Sequence, residues 1–184
     1  MKIKILICAA LAASAFPAAA AITVIGSSSA RLCYEAAEAR SLPSSSAIDR
    51  CDDALQREPL TDYEIVATYV NRGILKLRRG QIEPAIADFN TAIDRDPTEP
   101  EAYLNKGMAT LRLPNGWEAA LPLFNTAIEQ KTRRPAVAYY GRAVAHELAG
   151  EVKAAYRDYR QASVLEPNWR EPQTELARFT VRQP

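Results

Sequence analysis

Histidine is almost missing from this chain, with His146 alone among 184 residues. A zinc site needs several histidine, cysteine or carboxylate ligands at close spacing, and one histidine with no neighbouring serine or cysteine motif identifies no activated nucleophile. Glycine is scarce too, seven in all, and none of them builds a phosphate-cradling loop. Lysine and arginine number 23 against 22 acidic residues, a formal charge of +1. No basic block is interleaved with aromatics, so nucleic acid is not an expected partner. An enzyme is not expected, and no cofactor or metal is implied. What is present is ordinary globular material: 48% hydrophobic and 24% charged residues, in a length that suits one domain with a continuous core.

The first 25 residues differ from the rest. Lys2 and Lys4 precede an apolar stretch from Ile5 to Phe16, followed by Pro17 and a run of alanines. Charged start, apolar middle and small-residue end is the order of a secretory signal peptide, so residues 1–21 read as a signal cut near Ala20 or Ala21. The mature chain then begins close to Ile22 with 21 basic and 22 acidic residues. The alternative is an uncleaved anchor, because Ile5 to Ile25 carries no charge and is long enough to cross a bilayer. Lipidation at Cys8 is rejected, because Ile7 stands where a small residue is needed. Residues 22–30, with Gly26 and three serines, read as a flexible lead.

Beyond residue 30 the chain repeats itself. Gly73, Ala85, Phe89, Ala92 and Pro97 follow one another at fixed steps, and Ala143, Ala155, Tyr159, Ala162 and Pro167 reproduce those steps without change. The same ruler falls on Glu35, Ala47, Cys51, Ala54 and Pro59, and on Gly107, Ala120, Phe124, Ala127 and Thr132 with one extra residue at Pro114-Asn115-Gly116, a turn signal. Small residues at these intervals let two antiparallel helices approach closely, and the aromatic one turn later fills the space beside the contact. Proline five residues after the last alanine stops the second helix. The unit is a helical hairpin, and hairpins of this kind bury their apolar faces by stacking. Thr61 with Glu64 predicts a capped helix start. Pro122 falls inside a predicted helix, which either kinks there or begins late.

Tyr69, Gly73, Ala85, Phe89, Ala92 and Pro97 match the pattern of tetratricopeptide repeats, and the segments 69–97 and 139–167 resemble that family. Arg72, Lys106 and Arg142 stand where the pattern has Leu, and Lys76, Thr110 and His146 where it has Tyr. The resemblance implies an all-α, right-handed superhelical solenoid of about four helix-turn-helix hairpins (residues 31–59, 61–97, 100–132 and 136–167) with a C-terminal capping helix over 172–181. It also implies a concave groove lined by the first helix of each hairpin, here Val70, Asn71, Ile74, Leu104, Asn105, Met108, Tyr140 and Val144. Asn71 and Asn105 suit hydrogen bonds to the backbone of an extended ligand. Members that grip a peptide carboxylate use cations in slots that here hold Val70, Ile74 and Gly141, so a carboxylate clamp is not expected. The same apolar set also reads as core, filled in part by the terminal helix or the lead segment.

Cys33 and Cys51 each lie nine residues from Leu42, at the same level of an antiparallel hairpin. In an exported protein this favours a disulfide; two buried free thiols are the alternative. His146 takes a slot facing the hairpin interior. Arg72 with Asp88 and Arg142 with Asp158 share a 16-residue separation, which reads as an internal ion pair repeated in two hairpins or as a charged site. The function expected is that of an exported bacterial adaptor or scaffold, periplasmic or secreted, that binds a protein or peptide. A self-associating envelope component is the alternative, with membrane attachment only if the signal stays uncut.

Overall fold

The computed structural model describes residues 20–24, 28–39 and 41–179. Among them there are nine helices and no strand: α1 (Ser29–Glu38), α2 (Ser45–Arg57), α3 (Asp62–Arg78), α4 (Ile82–Arg95), α5 (Pro100–Thr110), α6 (Trp117–Glu129), α7 (Pro135–Leu148), α8 (Val152–Leu165) and α9 (Arg170–Leu176). Successive helices pair as α1/α2, α3/α4, α5/α6 and α7/α8, each pair stacks on the next, and α9 lies on α8. No described helix is long and apolar enough to cross a membrane.

The helix boundaries have local causes. Thr61 accepts the Glu64 backbone N–H while the Glu64 carboxylate accepts the Thr61 N–H, a complete capping box at the start of α3. Proline opens α5 and α7, where its missing N–H costs nothing. At the end of α3, Gly80 takes φ 76°, and the N–H groups of Gly80 and Gln81 return to the carbonyls of Leu77 and Lys76. Gly150 and Glu151 do the same at the end of α7, bonding Glu147 and His146. In α6 the stop is of the same kind but carried by Lys131, at φ 62°, with Thr132 bonded back to Ala127. Thr132 stands where the other hairpins have proline, so here the turn itself ends the helix. Pro122 is sixth in α6, which runs through it. The bond it forgoes would have reached the carbonyl of Glu118 in the first turn, on an exposed face that water can satisfy.

Small and large residues alternate across each hairpin as the repeat requires. A Cβ at Gly73 would stand 2.5 Å from the Phe89 ring, and one at Gly107 would stand 2.9 Å from Phe124. Ala85 and Ala92 beside Phe89, Ala120 and Ala127 beside Phe124, and Ala155 and Ala162 beside Tyr159 are all sealed. The polar fastening repeats too. Arg72 Nε and Nη2 donate to the two carboxylate oxygens of Asp88 at 2.9 and 2.6 Å, while Nη1 reaches back to Asp52 of the preceding hairpin at 2.6 Å. Arg142 holds Asp158 in the same bidentate way and reaches back to Asn125 at 2.8 Å. Each guanidinium also lies 5.2 Å from the ring of the tyrosine three residues before it, Tyr69 or Tyr139. These arginines are internal clasps and also join neighbouring hairpins.

The sulfurs of Cys33 and Cys51 are bonded, 2.13 Å apart, joining α1 to α2. Of the stretch expected as a flexible lead, residues 25–27 lie outside the described part of the chain, and residues 22–24 and 28–30 differ from the expectation. Ile22 and Val24 are buried in the same cluster as α1 to α4, and Ser28 already caps α1. The cause is the chain's own alternation, which turns Ala20, Ile22 and Val24 inward. The terminal helix begins two residues ahead of the expected start and ends at Leu176. Beyond it Phe179 still packs with Tyr156 and Tyr159. Of the expected signal peptide, residues 1–19 lie outside the described part of the chain.

Candidate peptide-binding groove

The concave face is built by α3, α5 and α7. Helical spacing sets Val70, Asn71 and Ile74 on one face of α3, and Leu104, Asn105 and Met108 on the matching face of α5. All six are buried. Tyr140 on α7 is also buried and lies 4.9 Å, ring to ring, from Trp169 at the head of α9. Val144 is half-buried in the same cluster. The groove residues inferred from the sequence are therefore brought to one side of the stack, and both ends of that side are covered.

The cover over α3 and α5 is the segment Ala20–Val24. The Ile22 N–H donates to Asn71 Oδ1 at 2.9 Å, and Asn71 Nδ2 donates to the Ile22 carbonyl at 2.8 Å, so one amide side chain reads both backbone groups of one residue. Two residues earlier, the Ala20 carbonyl accepts from Asn105 Nδ2 at 3.1 Å, while that nitrogen also donates to the Glu101 carbonyl at 2.8 Å. The Tyr63 hydroxyl donates to the Thr23 carbonyl at 3.3 Å. Side chains alternate: Ala20, Ile22 and Val24 are buried, whereas Thr23 is exposed. Ala20 clusters with Leu104, Met108, Val137 and Ala138, and Ile22 and Val24 with Val66, Val70 and Ile74. A period of two is the signature of extended chain.

An acidic pair borders this groove. Glu101 is fully buried, in a slot that holds Ala67 in the preceding hairpin and Val137 in the following one. Its Oε1 accepts from the Thr132 hydroxyl at 3.1 Å and the Arg133 N–H at 2.7 Å, tying α5 to the start of the next hairpin. Its Oε2 meets no donor among the described residues. Glu99, also buried, accepts the Glu101 N–H. Burial first, and then the adjoining Glu101 carboxylate, pushes the Glu99 carboxyl up to about 8. His146 sits at a hairpin edge, with Nδ1 2.6 Å from Glu151 and Nε2 3.7 Å from Asp158. It links the end of α7 to α8.

The lead segment was legible in the sequence as one of two candidate fillers of the groove, without its register or its hydrogen bonds, and the acidic pair was missed. The alternation of Ala20, Ile22 and Val24 was visible, but it ran across the expected cleavage point. Glu101 was detectable as an acid in a slot that is otherwise small or apolar.

Comparison with known proteins agrees with this geometry. The profile described as tetratricopeptide repeat matches residues 70–135, the stretch that carries both asparagines. Residues 70–135 are tetratricopeptide repeats. The human tetratricopeptide repeat protein 6 is 29% identical over 112 residues, 56% of this repeat protein and 21% of the human one. The chain thus spans about a fifth of that relative's length. Among solved structures, the first such domain of Spaghetti (RPAP3), bound to the HSP90 peptide SRMEEVD, superposes with a TM-score of 0.58 at 26% identity. That match covers 62% of this repeat protein and 89% of the other chain. MamA matches at TM-score 0.60 and 24% identity over 71% of this chain and 72% of its own. The OM64 domain of Arabidopsis matches at TM-score 0.60 and 24% identity, over 64% and 96%. The last two show a shared fold.

Proposed function

We propose that this repeat protein is a non-catalytic adaptor that holds an extended segment of a partner protein across the groove of α3, α5 and α7. The observation that carries this reading is the two-way hydrogen bonding of Asn71 to the backbone of Ile22. A side chain that pairs with backbone groups holds a peptide whatever its sequence, and the apolar slots beside it supply selectivity. The Spaghetti domain, similar in fold, is bound to a peptide. Val70, Ile74 and Gly141 offer that peptide's acidic end no cation, so the ligand of this groove is apolar.

Export to a bacterial periplasm, or beyond it, belongs to the same proposal. Its supports are the charged, apolar and small-residue order of the first 25 residues and the Cys33–Cys51 bond, a kind of link that persists in oxidising compartments. The test compares wild type with Leu104→Glu and Met108→Glu in pull-downs from an envelope extract. Loss of the captured proteins from folded mutants is the expected result. Folded mutants that keep every captured protein would end the groove reading.

A further inference from the structure

We infer that the segment Ala20–Val24 is a built-in occupant of the groove, and that the partner is an extended segment of the same pattern which must displace it. That pattern is a small residue followed, at alternate positions, by two branched aliphatic residues. The inference rests on the reading of the groove as a peptide site and adds to it the identity of the resident ligand and the class of the incoming one.

Three observations carry it. The resident segment is held as a ligand is held: its four polar contacts run from Asn71, Asn105 and Tyr63 to its backbone, and its side chains enter by alternation. The pockets set a size order. Ala20 is enclosed by Leu104, Met108, Val137 and Ala138, where a larger side chain meets packed atoms, whereas Ile22 and Val24 fill wider slots against α3. Finally, Val24 is followed by α1 after four residues. A tether that short gives the segment an effective concentration in the millimolar range. A free peptide at micromolar concentration therefore competes poorly until the resident segment is released, and the affinity of the intact chain understates that of the open groove.

The experiment uses labelled synthetic peptides and full-length chains, because a signal cut near Ala20 or Ala21 removes the Ala20 contact with Asn105 and leaves only Ile22–Val24 in the groove. In the evicted variant, Ile22→Asp with Val24→Asp places two carboxylates where the slots are apolar. A milder form, Ile22→Gly with Val24→Gly, serves if the charged one does not melt cooperatively. The probe is a fluorescein-labelled peptide carrying Ala-Ala-Ile-Thr-Val between Gly-Ser flanks. The controls are the same peptide with aspartate for isoleucine, and the acidic peptide SRMEEVD.

The expected result is binding of the apolar probe to the evicted chain at least tenfold tighter than to wild type, with no binding of either control. Adding Asn71→Ala to the evicted chain should abolish the gain. Equal affinity for wild type and evicted chain overturns the inference, as does the absence of binding to both when both are folded. Preference for SRMEEVD overturns the pattern. An evicted chain that becomes dimeric by light scattering and ignores the probe shows that a second copy, and no foreign peptide, takes the groove. None of these outcomes depends on the pull-down, in which Leu104→Glu tests the groove itself, so the gate can fail while the groove stands.

Discussion

Glu99 shows how one residue can make a whole stack sensitive to pH. Its carboxyl is held in the folded chain at about 8, against 4.5 when unperturbed. The folded chain therefore binds that proton more tightly than the unfolded one. The stability it contributes is complete below pH 4.5 and is lost as the pH rises through about 8. Thermal unfolding followed from pH 5 to pH 9 should show the midpoint falling. Glu99→Gln, which keeps the shape and removes the charge, should flatten that fall and be more stable at pH 9 by on the order of 1–2 kcal/mol. A wild-type midpoint that does not change over this range would show that the pair is relieved by solvent. Glu101 could not be recognised as buried from its type, since a charged residue at the head of a helix is ordinarily exposed. Only the superposition of hairpins, which sets it level with Ala67 and Val137, reveals the slot.

At the scale of the element, three helices end in the same backbone device with different residues in the left-handed position. Gly80 and Gly150 adopt it freely, and Lys131 does so at the expense of its Cβ. Lys131→Gly should therefore raise stability by about 1 kcal/mol, read as a shift in the urea midpoint with the slope unchanged. A decrease would mean that the lysine side chain contributes more than its backbone conformation costs. The helices were legible because repeats supply their own controls: the steps from Gly73 to Pro97 and from Ala143 to Pro167 place the same small and large residues in contact. The end of α6 was harder to read, because Thr132 replaces the proline and the stop lies in backbone geometry instead of residue type. The arginine clasps were legible as pairs within a hairpin. Their second arms to Asp52 and Asn125 were not, because a link between hairpins has no fixed counterpart in a single repeat.

At the scale of the molecule, the stack is closed at one end by α9 and at the other by a hairpin poor in large core residues, where Cys51 takes the slot of an aromatic. The disulfide closes a loop between residues 18 apart and in the chain-entropy model contributes about 3 kcal/mol. Reduction, or Cys33→Ser with Cys51→Ser, should lower stability by roughly that amount. It should also raise amide exchange in α1 and α2 before α5 to α8. Uniform loss across all helices would show that the stack melts as one unit. The groove was legible in the sequence as a set of residues on three helices. Its occupant was legible only as one of two candidates, the lead segment or the terminal helix, because five residues at the edge of an apolar leader give no local sign of the register in which they return to the stack. The loop between α1 and α2 holds a last consequence. Leu42 at its tip is 78% exposed, a natural place for a protease to cut, yet it lies inside the ring that Cys33 and Cys51 close. A chain nicked there should migrate as a single species on a non-reducing gel and separate into two pieces only when reductant is added.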